Sequence, residues 1–463
     1  MRGPHLLWVL LAAAGCTHFR GGPAQSEASR PLHADYVIRF VESPLALEVE
    51  VTLTGPSRPL LFTRPGEVAE VRVQTDNGEQ VAPVRADGRV NLPEGARALR
   101  YRYETGRLGL HRFGDLYTGI GDANGLLVAG RSYLIRPRVA DGVTATLRIE
   151  GADALLPWTP EDDGGYAFDG FALVDSGFHG FNGRRCTRTV EGTALEVALL
   201  GGSWRVSDDF LCVWVAQAAM ETLTLQRPLP HERITVHLVP AATEDASALG
   251  LLLWSAPPSL ALTAGTNAGE EAFAQDWVAL HELVHVLHPS FPGQPPWLSE
   301  GLSTYLTEVA RMRSGRHTPE EGWGVLARGF ERGRADASDW TLEEAVEGLR
   351  RGVYLPVYWA GALICLEVDV ELRRATGGQH ALEDVLATLR REGGTSTVRR
   401  FGEVVDALAG QPLFDEVLER HSKGPVLARA DALLRALGVR SSADGVTLED
   451  APFSHVREAI SSD

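Results

Sequence analysis

The stretch that decides the fold reads His281-Glu282-Leu283-Val284-His285 and, after a proline-rich interval, Trp297-Leu298-Ser299-Glu300-Gly301. On a helix, histidines four residues apart stand one turn apart on a single face, so both imidazoles can reach one metal ion. Glu282 sits a residue further round, where it would meet a metal-activated water rather than the metal itself. A third ligand must come from elsewhere, and Glu300 lies fifteen positions past His285. That set of donors is suited to zinc hydrolase chemistry.

The surroundings sharpen this reading. Residues 272–288 predict one helix, with Phe273, Trp277, Leu280, Val284 and Leu287 at helical spacing. Pro289 and the stretch Pro292-Gly293-Gln294-Pro295-Pro296 end it, and a second helix opens near Pro296 with Glu300 in its first turns. Two helices joined by a tight reversal can face each other, which returns Glu300 to the histidines. The competing explanation is a core helix with surface histidines and a solvated glutamate. His288 is a rival third ligand, but it lies seven residues from His281, about 10 Å along a straight helix. It reads instead as a polar residue at the helix end. Glu308 and Thr304 follow Glu300 on its helix; either could orient a histidine, though a solvated helix face explains both more simply.

The chain has 463 residues, enough for two or three domains, and its 44% hydrophobic and 23% charged content is that of a globular protein. Its net charge of −17 supplies no basic patch for phosphates and argues against nucleic-acid binding. Residues 1–15 read as a signal peptide: Arg2, an apolar run from Leu6 to Ala14, then Ala13-Ala14-Gly15-Cys16. The apolar run is too short to span a bilayer. A cysteine directly after small residues resembles a bacterial lipobox, which implies acylation of Cys16 and anchoring to a membrane surface of the cell envelope. The alternative is an ordinary secretory signal with an incidental cysteine. Residues 16–30 read as a flexible tether. Cys186, Cys212 and Cys365 remain; an exported chain permits a disulfide between the first two, which the sequence leaves open. Cys365 sits in an apolar helix as a small core residue.

The fold expected is α+β. Residues 31–165 alternate apolar with polar residues in short runs such as Leu47 to Leu53, and read as an antiparallel β-sandwich. Residues 166–440 read as the catalytic domain. They hold a helix at 207–226 capped by Ser207, strands at 233–239, 249–254 and 259–264, the HExxH helix, and then a helical lobe. That lobe has helices at 297–312, 319–332, 341–350, 354–375, 380–391, 398–408, 412–421 and 425–437, and 441–463 read as a C-terminal tail.

HELVH at 281–285, WLSEGLSTYL at 297–306 and Tyr358-Trp359-Ala360-Gly361-Ala362-Leu363 together resemble the gluzincin metallopeptidases, which have thermolysin-like catalytic domains. Within them the chain looks most like the glycyl-aminopeptidase family, a cousin of the aminopeptidase N and leukotriene-hydrolase group. Supporting stretches are 173–176, 366–378 and 382–386. The resemblance implies one zinc ion held by His281, His285 and Glu300, with Glu282 as general base and Tyr358 stabilising the oxyanion. Read without it, Tyr358 is a buried aromatic on a helix face, and Tyr354 is a weaker candidate for the same role. Two departures stand out. The group carries a Gly-x-Met-Glu-Asn strand whose glutamate holds a substrate amine, whereas Leu249 to Ser255 contains no acid. The glycyl-aminopeptidases often end in a PDZ module, which is expected to be absent here.

The function expected is zinc-dependent hydrolysis of peptide bonds in peptide or protein substrates. The rivals are an aminopeptidase that requires a free N-terminal amine, and a catalytically inactive surface lipoprotein on a zinc fold.

Overall fold

The computed structural model describes residues 31–462, except 56–58, 64–67, 69, 106–113, 139 and 443–444. The signal, the tether and Cys16 therefore lie outside the described residues. Among the described residues no helix is long and apolar enough to cross a membrane. The fold is α+β, and the described residues divide into two compact units, 31–214 with 231–276, and 215–230 with 277–462.

In the first unit a seven-stranded sheet runs in the order 166–169, 143–150, 32–42, 45–54, 98–104, 70–75 and 78–83. Alternation fixes its register: Leu32, Ala34, Tyr36, Ile38 and Phe40 all point into the core. The opposite face carries cross-strand pairs such as Arg100–Glu50 and Arg102–Glu48. Three- and four-stranded sheets complete the layers, and the Tyr36 and Tyr101 hydroxyls donate to the Ile135 and Tyr133 carbonyls at 2.6 and 2.8 Å. One pair, 32–42 with 143–150, is parallel, where the sequence reading has an antiparallel sandwich.

A five-stranded mixed sheet follows, ordered 184–190, 193–199, 233–241, 259–265, 250–253, its central three strands parallel. Parallel neighbours need a crossover. The helix Asp208–Thr222 supplies it between 199 and 233, its N-terminus capped by Ser207, whose hydroxyl accepts from the Phe210 amide at 3.1 Å. The hairpin 184–199 was not among the expected strands. Glu191 and Gly192 both have positive φ, as a two-residue hairpin loop of the primed type requires. Cys186 and Cys212 are disulfide-bonded, tying the edge strand to the crossover helix; Cys365 is free and buried.

The second unit is built around the 22-residue helix Leu355–Thr376, buried on nearly every face and ended by Gly377 at φ +62°. Its neighbours open on capping boxes at Thr318–Glu321 and Thr341–Glu344. Charges inside this core are paired. Asp369 accepts from the Tyr305 hydroxyl at 2.7 Å, from Arg373 at 3.1 Å and from the Leu382 amide at 2.9 Å. Glu367 meets His421 at 2.7 Å, Arg420 at 2.8 Å and Arg429 at 3.2 Å.

Two expectations need correction. The single helix over 272–288 is two, Glu270–Ala274 and Val278–His285. Phe273 packs edge-on against Phe210 and Trp214 in the first unit, whereas Trp277 already belongs to the second. Residues 441–463, read as a tail, include the end of a hairpin (Val439–Ser442 with Gly445–Leu448) and the helix Ser454–Ser462. Val456 and Ile460 of that helix are buried, Arg313 donates to the Ile460 carbonyl at 2.9 Å, and Trp323 donates to Ser461 at 2.9 Å.

The disulfide closes a loop with a sequence separation of 26; replacing both Cys186 and Cys212 by serine should lower the unfolding free energy by about 2–4 kcal/mol in a urea titration. An unchanged midpoint would show that the cross-link contributes nothing. Burial pushes the Glu367 carboxyl up, but His421, Arg429 and Arg420 outweigh it and hold it at about 2. Its contribution, up to about 3 kcal/mol, is complete above the unfolded value near 4.5 and disappears as pH falls toward 2. The Glu367→Gln protein should therefore lose stability less steeply than the wild type between pH 5 and 3, followed by denaturant midpoints.

Candidate metal centre

The helix Val278–His285 is wholly buried, and it places His281 and His285 with their rings edge to face, centroids 4.9 Å apart. The chain then reverses. Pro289 stops the helix, and Phe291-Pro292-Gly293-Gln294 makes a turn closed by the Gln294 amide on the Phe291 carbonyl at 3.1 Å. Pro at the second position and Gly293 at φ +70° at the third are what a type II turn requires. The next helix, Trp297–Arg313, begins immediately and carries Glu300 in its first turn, where the helix dipole favours a carboxylate.

The outcome is convergence. Glu300 Oε2 lies 3.4 Å from His281 Nε2 and 3.4 Å from His285 Nε2. One donor atom of each residue lies within 4.8 Å of the others, and all three side chains are buried. Bonds of ~2.0–2.1 Å from a tetrahedral centre put neighbouring ligands ~3.3–3.4 Å apart, which is the spacing found. Neither imidazole Nε2 nor Glu300 Oε2 has a hydrogen bond of acceptable geometry among the described residues. Buried polar atoms left in that state are costly unless something binds them. The donor set fits a zinc ion.

Electrostatics follows the geometry. Burial pushes Glu300 up, but the two histidines outweigh it and hold its carboxyl far below the usual range. Burial drives His281 down to about 4, while for His285 the Glu300 carboxylate overcomes burial and raises it. Glu282 is buried in the same helix, and its charge acts on both His285 and Tyr358.

Tyr358 arrives from the helix Leu355–Thr376, its ring nearly parallel to His281 at 6.1 Å. Burial, then Glu300 and Glu282, raise its hydroxyl well above 10, so it stays a proton donor. The glycine in the Tyr-x-x-Gly motif has a physical reason. A Cβ on Gly361 would strike the Trp297 carbonyl, and one on Gly301 would strike the Gly361 backbone. Only glycines let the Glu300 helix and the Tyr358 helix approach this closely. Tyr354 lies at the N-cap of its helix, half-buried, outside the cluster of donors.

Three further contacts escape the sequence reading. Trp277 stacks on His281 at 4.2 Å and donates its indole N–H to Glu308 at 2.9 Å. Glu308 and Thr304 are buried rather than on a solvated face, and the Glu308 charge favours the protonated form of His281. His288 is not a ligand, yet it is buried and its Nε2 lies 3.1 Å from His285 Nδ1. Helical spacing of Trp277 before His281, and of His288 after His285, was the available signal.

No family model and no curated protein matches the sequence, but solved structures do. An aminopeptidase N family protein from Idiomarina loihiensis aligns with a TM-score of 0.63 at 13% identity, over 91% of this chain and 77% of that one. An M1 zinc metallopeptidase from Deinococcus radiodurans gives 0.53 at 18%, over 86% and 94%. Native yeast LTA4 hydrolase gives 0.52 at 11%, over 88% and 71%. The chain has the fold of the aminopeptidase N and LTA4 hydrolase group.

The glycine contact generates a prediction. Gly361→Val should force the two helices apart, at a cost of about 2–3 kcal/mol in denaturant unfolding, and should weaken zinc binding as Glu300 withdraws. A valine protein of wild-type stability and affinity would remove the close approach from the account.

Proposed function

We propose that this protein is a zinc-dependent metallopeptidase that hydrolyses peptide bonds. The observation that carries the reading is the pair of 3.4 Å separations joining one buried carboxylate to two buried imidazoles. His281, His285 and Glu300 would hold the ion, and the fold group supports the assignment. Zinc bound there supplies Lewis acidity toward a carbonyl oxygen and acidifies water to a pKa of about 7.

The chain's own residues do the rest. Glu282 takes the proton from the attacking water and returns it to the leaving amine, the work of a general base and then a general acid. The Tyr358 hydroxyl, kept protonated by burial, donates to the oxygen on which negative charge develops; one such donor is typically worth about 10²–10³ in rate. A surface protein retaining only a binding role would need neither the carboxylate nor the phenol.

Aminopeptidase action is a second reading, supported by likeness to proteins named aminopeptidases. The strand Gly250–Leu253, apolar and buried, offers no acid for a substrate amine, which favours an enzyme that does not require a free N-terminus. Free and N-blocked versions of the same peptides separate the two. We also propose export and anchoring through Cys16, supported by the lipobox-like sequence around it.

Glu282→Gln should keep its zinc and lose hydrolysis by about three orders of magnitude or more. Metal analysis beside a peptide-cleavage assay checks both halves. Cleavage at the wild-type rate would refute the mechanism.

A further inference from the structure

We propose that His288 is a positioning residue that sets the tautomer of His285 and so aims the His285 Nε2 lone pair at the metal position. The inference rests on the reading of this site as a metal centre. His288 Nδ1 lies 2.8 Å from the Pro289 carbonyl, which can only accept, so that nitrogen carries the proton. A neutral imidazole has one N–H, which leaves His288 Nε2 as an acceptor. The group facing it at 3.1 Å is His285 Nδ1, which must then be the donor. With its proton on Nδ1, His285 has its lone pair on Nε2, the atom 3.4 Å from Glu300 Oε2. The chain of command runs from a backbone carbonyl, through one imidazole, to a ligand.

The two neighbouring hydroxyls do not reverse the order. Ser303 Oγ is 3.4 Å from His288 Nε2 and Ser299 Oγ is 3.4 Å from His285 Nδ1, both longer than the imidazole pair, and a hydroxyl rotates to suit either partner. The segment bearing His288 is held in place. Arg390 donates to the Leu287 carbonyl, the Ser290 amide to Gly394 at 3.0 Å, and the Ser396 amide to Ser290 at 2.8 Å. The chain turns directly after the helix, with the Leu287 amide on the Val284 carbonyl at 2.9 Å, and this brings His288 back to His285. Ligating histidines usually donate their second N–H to a carboxylate or a carbonyl; here a second histidine intervenes.

The test uses the full chain, freed of metal by a chelator and titrated with Zn²⁺ alone against a chromophoric competitor. His288→Phe keeps a ring but removes the acceptor, and should weaken zinc binding by about 10–100-fold. His288→Gln restores an amide with one acceptor and one donor, and should recover most of that loss. Phenylalanine and wild type agreeing within about threefold would overturn the proposal. So would equal losses in the two variants, which would make His288 a packing residue. If the phenylalanine protein does not fold, glutamine decides: retained affinity supports the relay, a tenfold or greater loss overturns it. His281→Ala serves as the separate control. Zinc bound as tightly without His281 would refute the metal centre itself, whatever His288 does.

Discussion

The structure depends on a carboxylate that has been taken out of water. An isolated carboxylate in a protein interior costs several kcal/mol, and it persists only where cations or donors surround it. Glu300 is 6% exposed, with two imidazoles and a phenol as its neighbours. Its position at the start of a helix contributes, since the unsatisfied amides of a first turn favour negative charge. A divalent ion at the centre of the group would supply what these cannot, a full opposing charge at bonding distance. Among the described residues Glu300 Oε2 and the two imidazole Nε2 atoms lack a well-formed hydrogen bond, which is the state of atoms suited to hold such an ion.

Each donor is fixed by a different device. Glu300 is set by the helix that carries it, whose approach to the Tyr358 helix is limited only by two missing side chains. His281 is held from behind by the Trp277 ring, itself tethered to Glu308. His285 is held by a hydrogen bond to His288. Glu308 and His288 are buried and Trp277 is half-buried, and all three belong to the compact unit 215–230 with 277–462. A site whose ligands must hold to within a few tenths of an ångström needs such backing.

How much of this could be read from the sequence varies with the physics involved. The ligand set was legible because HExxH spacing is a property of every helix, and the prolines and glycine between 289 and 296 announce a reversal. The helical lobe was legible because threonine caps and apolar periodicity mark each segment; the helix expected at 319–332 runs Pro319–Asp336. The break at 275–277 was not, because apolar spacing reports that a face is buried without saying against which core. His288 shows a subtler limit. Its distance from His281 removes it as a ligand, but the separation that matters is the one to His285, and the resulting bond depends on a carbonyl turned inward by Pro289. The role of Gly361 needs the partner helix to be known, since nothing local requires a glycine there.

The tyrosine and the base together bear on what such a site is for. A structural zinc site is closed by four protein ligands and gains nothing from ionisable neighbours. The group here has three protein donors, and Glu282 of the His281 helix and a Tyr358 hydroxyl that burial keeps protonated are buried with it. A carboxylate can accept a proton there, and a phenol can donate a hydrogen bond to developing charge. Burying both beside a metal ligand adds desolvation cost and no packing advantage that leucine and phenylalanine would not give. Their presence supports the proposed reaction, in which a proton moves and an oxyanion forms.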